Sequence, residues 1–196
     1  MHKKHKKYLK QLFVIALIIC AGCGLFDTRN PENPVTVRST YEPPTTPEAV
    51  LRNLTSSIQE KNSSNYQKCL STVQYVYVPD SKSQGLYGTI FQDWDINSEK
   101  FYYENLISQT NAEASSNLFL SNAVTNQITP DSAIYTADYI IVFQHNKTSV
   151  PKSSVGNMKL SLKADENNFY YILKWEDFRR NDSDFTWSEL KANFSN

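Results

Sequence analysis

Asp138 is an isolated acid in a run, residues 133–143, whose other members are nearly all apolar or aromatic. Turned inward it would be desolvated, its pKa would rise, and it could serve as a general base. Strand alternation instead groups it with Thr136 and Ile140, opposite Tyr135, Ala137 and Tyr139, which predicts a wet face. Glu176 and Asp177 form a second acidic feature directly after Trp175. Adjacent strand residues point to opposite faces, so this pair cannot serve one site. The two read as the wet end of a strand, weakly paired with Arg179 and Arg180. His145 has no second histidine or cysteine pair at ligand spacing, so no metal is expected. No Gly-x-Ser-x-Gly elbow marks a Ser-His-Asp triad. The five glycines are scattered and form no phosphate-cradling loop, and no cofactor is expected. Tyr75, Tyr77, Tyr135, Tyr139, Tyr171 and Trp175 lie at alternating strand positions. They would fill a core, or else line a pocket for an apolar or flat ligand, with phenols oriented by hydrogen bonds.

Charge narrows the classes of partner. The chain of 196 residues carries 20 basic and 20 acidic side chains. Lys3, Lys4, Lys6, Lys7 and Lys10 fall within residues 1–22, which contain no acid, and the remainder has a net charge of −5. Without a basic patch to release counterions, nucleic acid is not an expected partner.

Residues 1–22 have the three parts of an export signal: a basic start, an unbroken apolar run at 12–20, and the small pair Ala21-Gly22. The run is too short for a spanning helix, which needs roughly 20 apolar residues. Cys20-Ala21-Gly22-Cys23 resembles the lipobox of bacterial lipoproteins, with Cys20 in place of the usual leucine. The resemblance implies cleavage before Cys23, a diacylglycerol on its sulfur and an acyl chain such as palmitate on the new amine. Two or more chains anchor firmly, each buried methylene contributing about 0.8 kcal/mol. It also implies an envelope location, with Gly24 favouring the outer over the inner membrane. Cys69 is then left without an intramolecular partner and reads as a small buried hydrophobe beside Leu70. Residues 23–45, with Pro31, Pro34, Pro43 and Pro44, read as a lipidated cysteine and extended tether.

Residues 46–196 read as one domain. Thr46-Pro47-Glu48 starts a helix that runs to about Lys61. A short second helix carries Tyr66, Cys69 and Leu70. Residues 73–78 form a strand, 81–88 a loop, and Asn97 or Ser98 opens a third helix with Phe101, Tyr102, Leu106 and Ile107 inward. Strands follow at 118–124, 133–143 and 158–163, then one in which Phe169, Tyr171, Leu173 and Trp175 alternate. Ser183 or Asp184 starts a terminal helical turn with Trp187 and Leu190. Helices segregated ahead of an antiparallel sheet predict an α+β fold, a curved sheet wrapped over helices.

This order of elements resembles the nuclear transport factor 2-like fold shared by SnoaL-like cyclases and ketosteroid isomerase, over roughly 46–180. The resemblance implies a cone-shaped interior in which the isomerases use an Asp base with Tyr or acid donors. The stretch from Cys23 to Pro34, with Trp94-Asp95 and Trp175-Glu176-Asp177, is also similar to a group of uncharacterised bacterial lipoproteins. The expected function is a membrane-tethered, non-catalytic domain that binds an envelope protein or a small apolar ligand. The alternative is an isomerase- or cyclase-type enzyme using a cavity acid such as Asp138. A homodimer through the open sheet face is a further expectation.

Overall fold

The computed structural model describes residues 40–195. The expected signal, Cys23 and the tether as far as residue 39 lie outside the described residues. Residues 40–45, read from sequence as tether, lie against the domain. Thr40 donates to Glu60 through its backbone (2.9 Å) and hydroxyl (2.5 Å). Glu42 and Asn53 exchange two hydrogen bonds of 2.9 and 2.8 Å.

The first helix, α1 (Pro47–Gln59), starts as expected: the Thr46 hydroxyl accepts from Ala49 N, Pro47 follows the cap, and Val50, Leu51, Leu54 and Ile58 are buried. Lys61, at φ 51°, turns the chain into α2 (Ser63–Lys68), which Asn62 caps. Strand β1 is short (Val76–Val78). Residues Ser81–Phe91 form a helix, α3, where a loop was expected. Ser, Gly85 and Gly88 give it poor propensity. Asp80 offsets this by accepting from both Lys82 N and Ser83 N at the N-terminus. In α4 (Ile96–Ser108) the inward residues are Glu99, Tyr102, Tyr103 and Leu106, whereas Phe101 is exposed and Ile107 only partly covered.

Strands β2 (Asn117–Thr129), β3 (Ser132–Val142), β4 (Ser153–Ala164) and β5 (Tyr170–Phe178) are antiparallel neighbours. β1 adds to β5 in parallel, giving the order β1-β5-β4-β3-β2. In β3 and β4 burial alternates along the strand, as period two requires. In β5 the alternation slips. Ser161 pairs with Lys174 while Leu162 pairs with Ile172, so Leu173 is the extra residue of a bulge. Tyr170 and Ile172 point inward before the bulge, Trp175 and Asp177 after it. Phe169, Tyr171, Leu173 and Trp175 therefore do not share a face. A last helix, α5 (Trp187–Phe194), closes the interior and is held by a Thr186–Glu189 capping box.

Candidate functional site

Two helices place charges in the core because each carries one on its apolar stripe. On α4 the stripe is Glu99, Tyr102, Tyr103 and Leu106; on α5 it is Trp187, Leu190, Lys191 and Phe194. Both follow the spacing i, i+3, i+4, i+7, which puts the charge on the buried face. Lys191 and Glu99 meet with both side chains 0% exposed. The ammonium donates to both carboxylate oxygens, at 2.5 Å to Oε2. It also lies over the rings of Tyr77 (3.8 Å to the centroid), Trp175 (4.7 Å), Tyr102 (5.3 Å) and Trp94 (5.8 Å). Glu99 further accepts from Tyr66 (2.6 Å), Trp94 Nε1 (2.8 Å) and Tyr75 (3.0 Å). Burial pulls the lysine down to about 8, against the opposing pull of Glu99.

Two further carboxylates hold the entry to α5. Asp177 accepts from Ser188 Oγ (2.5 Å), Tyr139 (2.7 Å) and Ser188 N (2.8 Å). Tyr139 in turn accepts from Trp187 N at 2.8 Å. Burial raises the Asp177 pKa, outweighing the hydrogen bonds from Ser188 and Tyr139 that favour the ion. Asp80 accepts from Ser83 Oγ (2.5 Å), Thr186 (2.7 Å) and Arg179 Nε (3.1 Å). Its burial acts upward, but these partners prevail and hold its pKa below the usual range. Gly156 lets Tyr139 reach across β4: a Cβ there would lie 2.7 Å from the tyrosine Cζ and 2.8 Å from the Phe178 carbonyl oxygen. Thus Asp80 holds Thr186, Asp177 holds Ser188, and Glu99 holds Lys191.

The sequence candidates divide accordingly. Tyr75, Tyr77, Tyr139 and Trp175 converge on this interior. Trp175 Nε1 is buried without a hydrogen-bond partner. Tyr135 is buried at the other end of the sheet, beside a groove of about 540 Å³ between α1 and β2. Tyr171 lies on the outer side of β5 and lines another groove. Asp138 is on the outer sheet face, hydrogen-bonded by Asn122 (2.7 Å) and Asn157 (3.2 Å), which lower its pKa. It is not a cavity acid, as the alternation along β3 dictates. Asp177, expected at a wet strand end, is fully buried: two residues after Trp175 it continues that inward face, in regular register with Met158. Glu176 is the outward member of the pair, bridged to Lys174 (3.1 Å) and Lys159 (3.4 Å). Arg179 pairs with Asp80 and Glu189, not with Glu176 or Asp177. His145 is buried with Lys152 Nζ 3.0 Å from Nδ1 and the Pro151 carbonyl 3.1 Å from Nε2, which pins its own loop. No group of His, Cys, Asp or Glu among the described residues is placed to hold a metal ion.

A groove of about 880 Å³ opens on the outside, beside residues 41–44. Tyr41, Pro44, Leu70, Val73, Phe169 and Tyr171 line it. Val73 is 86% and Phe169 41% exposed. Tyr170 N donates to the Pro44 carbonyl at 2.7 Å, which fixes the entering chain along β5 as one wall.

No protein-family model matches the chain, and no curated protein matches it. Solved structures do. A candidate aromatic ring hydroxylase from Novosphingobium aromaticivorans superposes with a TM-score of 0.52 at 9% identity, covering 73% of this chain and 92% of its own. A candidate calcium/calmodulin-dependent protein kinase II association domain from Xanthomonas campestris gives 0.52 at 9% identity, covering 69% and 86%. A candidate scytalone dehydratase from Novosphingobium aromaticivorans gives 0.51 at 7% identity, covering 66% and 78%. At such identities the likeness is one of fold, and the expected α+β architecture of the nuclear transport factor 2-like type stands.

Proposed function

We propose that the protein is an envelope lipoprotein, anchored through Cys23, whose domain binds a partner without catalysing a reaction on it. One observation carries the non-catalytic part: the interior is filled by Lys191 and its aromatic surround, with its acids engaged by protein groups. Binding then falls to the outside. The groove beside the entering chain has the size and the mostly apolar, aromatic lining of a small-ligand site. Its proposed ligand is a small apolar molecule with a flat face. A photo-crosslinking residue at Phe169, in the lipidated protein within its own envelope, is expected to give a discrete small-molecule adduct. The same residue at Glu104, on α4, is expected to give none. Equal labelling at both positions would refute the assignment. Mass spectrometry tests the anchor: the mature chain should begin at an acylated Cys23, and a chain beginning at Met1 would overturn it.

An isomerase-type reading has one observation behind it. Asp177, raised by burial and hydrogen-bonded by Tyr139, is an acid-and-phenol pair of the kind used in proton transfer. It could meet a substrate only if α5 withdrew Ser188. Amide exchange at Trp187 and Ser188 faster than global unfolding would favour this reading. Exchange only through global unfolding would remove it.

A further inference from the structure

We propose that the interior is an organic-ammonium site whose occupant is the protein's own Lys191. Its place inside the cone is independent of the outer groove proposed above. An apolar core needs neither an acid nor a cage, yet four aromatic faces and one carboxylate surround a single cationic nitrogen. This is the arrangement by which proteins recognise alkylammonium ligands. The receiving half is built without α5. Glu99 and Tyr102 come from α4, Tyr77 from β1, Trp175 from β5, and Trp94 from the turn before α4. Three of the hydrogen bonds that orient the carboxylate come from Tyr66, Tyr75 and Trp94. Tyr66 is itself stacked on Tyr103, with ring centroids 3.9 Å apart. The acid therefore keeps its position when the lysine is removed. The two N–H donations to Glu99 require an ammonium with at least two N–H groups, such as a primary one, and exclude a quaternary one, which has none to give.

The test is chemical rescue in the purified full-length chain. Lys191→Ala deletes the atoms that n-propylammonium supplies. The variant is expected to lose on the order of 10 °C in Tm. n-Propylammonium chloride should restore most of the loss, with saturation on the order of millimolar. 1-Propanol, tetramethylammonium chloride and sodium chloride at matched strength should not. If the variant is unfolded alone, recovery of near-ultraviolet circular dichroism on adding the amine, and not the alcohol, is the same positive result. The rescue should vanish in Glu99→Gln/Lys191→Ala. Equal rescue by propanol, rescue that survives Glu99→Gln, or no rescue by any additive would overturn the proposal. Lys191→Met fills the volume without the charge. It should be less stable than the parent and indifferent to propylammonium; stability equal to the parent would also overturn the proposal.

Discussion

Glu99→Gln and Lys191→Met, singly and together, separate the pair from its surroundings. Removing one member of a buried ion pair costs about 3–5 kcal/mol, because the other charge is stranded. The structure orders the two losses. After Lys191→Met the carboxylate keeps three neutral donors, Tyr66, Tyr75 and Trp94, so the cost falls near 3 kcal/mol. After Glu99→Gln the ammonium keeps ring faces and one amide oxygen, so the cost lies nearer 5 kcal/mol at neutral pH. The double variant strands nothing and should lose only about 1–2 kcal/mol, a coupling of at least about 5 kcal/mol. Urea melts read these differences directly, and each kcal/mol should appear as about 2–4 °C in Tm. The pH profile adds a signature. Lys191 releases its proton near pH 8 in the folded state and near its ordinary value of 10.5 in the unfolded chain. Between about pH 8 and 10 Lys191 makes the unfolded chain hold more protons, while Cys69 and the buried tyrosines act the other way. The unfolding free energy should therefore rise with pH relative to the matched variant carrying Lys191→Met. The rise should begin lower in Glu99→Gln, where the acid no longer retains the proton. Additive losses in the double variant, or a flat profile in both proteins, would refute the reasoning.

Asp177 gives the opposite slope. Its folded pKa is raised, so its contribution is present at low pH and lost as pH rises through the folded value. Wild type should gain stability relative to Asp177→Asn as pH falls from 7 towards 4, in urea melts at each pH. Gly156→Ala drives a methyl into Tyr139 and should cost about 3 kcal/mol in the same assay. Cys69, whose thiol is pushed up to about 12 by burial, should resist iodoacetamide at pH 8 until the protein unfolds, as followed by mass spectrometry. Asp138→Asn, on the outer face, should change stability by less than about 0.5 kcal/mol and leave interior tryptophan fluorescence unchanged.

Strand periodicity carried most of the fold into the sequence reading. Residues 133–143 and 158–163 alternate cleanly, and the Thr46-Pro47-Glu48 start is the observed one. α3 was missed because its residues are poor helix formers, and its stability comes from a cap that also contacts Thr186, 106 residues away. Asp177 lies in the charged run 176–180, which reads as a wet strand end although alternation from Trp175 turns Asp177 inward. The slip at Leu173, set by pairing with β4, instead moves Tyr171 and Leu173 off the face of Trp175. The buried pair itself had a signal in the sequence. Glu99 and Lys191 each occupy the first or third position of an apolar stripe, and a charge on such a stripe requires a partner. What sequence could not supply is that the two stripes face each other.

Glu99 and Lys191 are 92 residues apart. At roughly 5–20 residues per second of synthesis, the acid waits about 5–20 s for its cation. Throughout that interval its carboxylate has Tyr66, Tyr75 and Trp94 as donors but no counter-charge. Helix α5 thus supplies the missing charge only after the other described elements have been made. Chains clipped before Lys191 should be hydrated in the interior and more protease-sensitive than chains that carry α5.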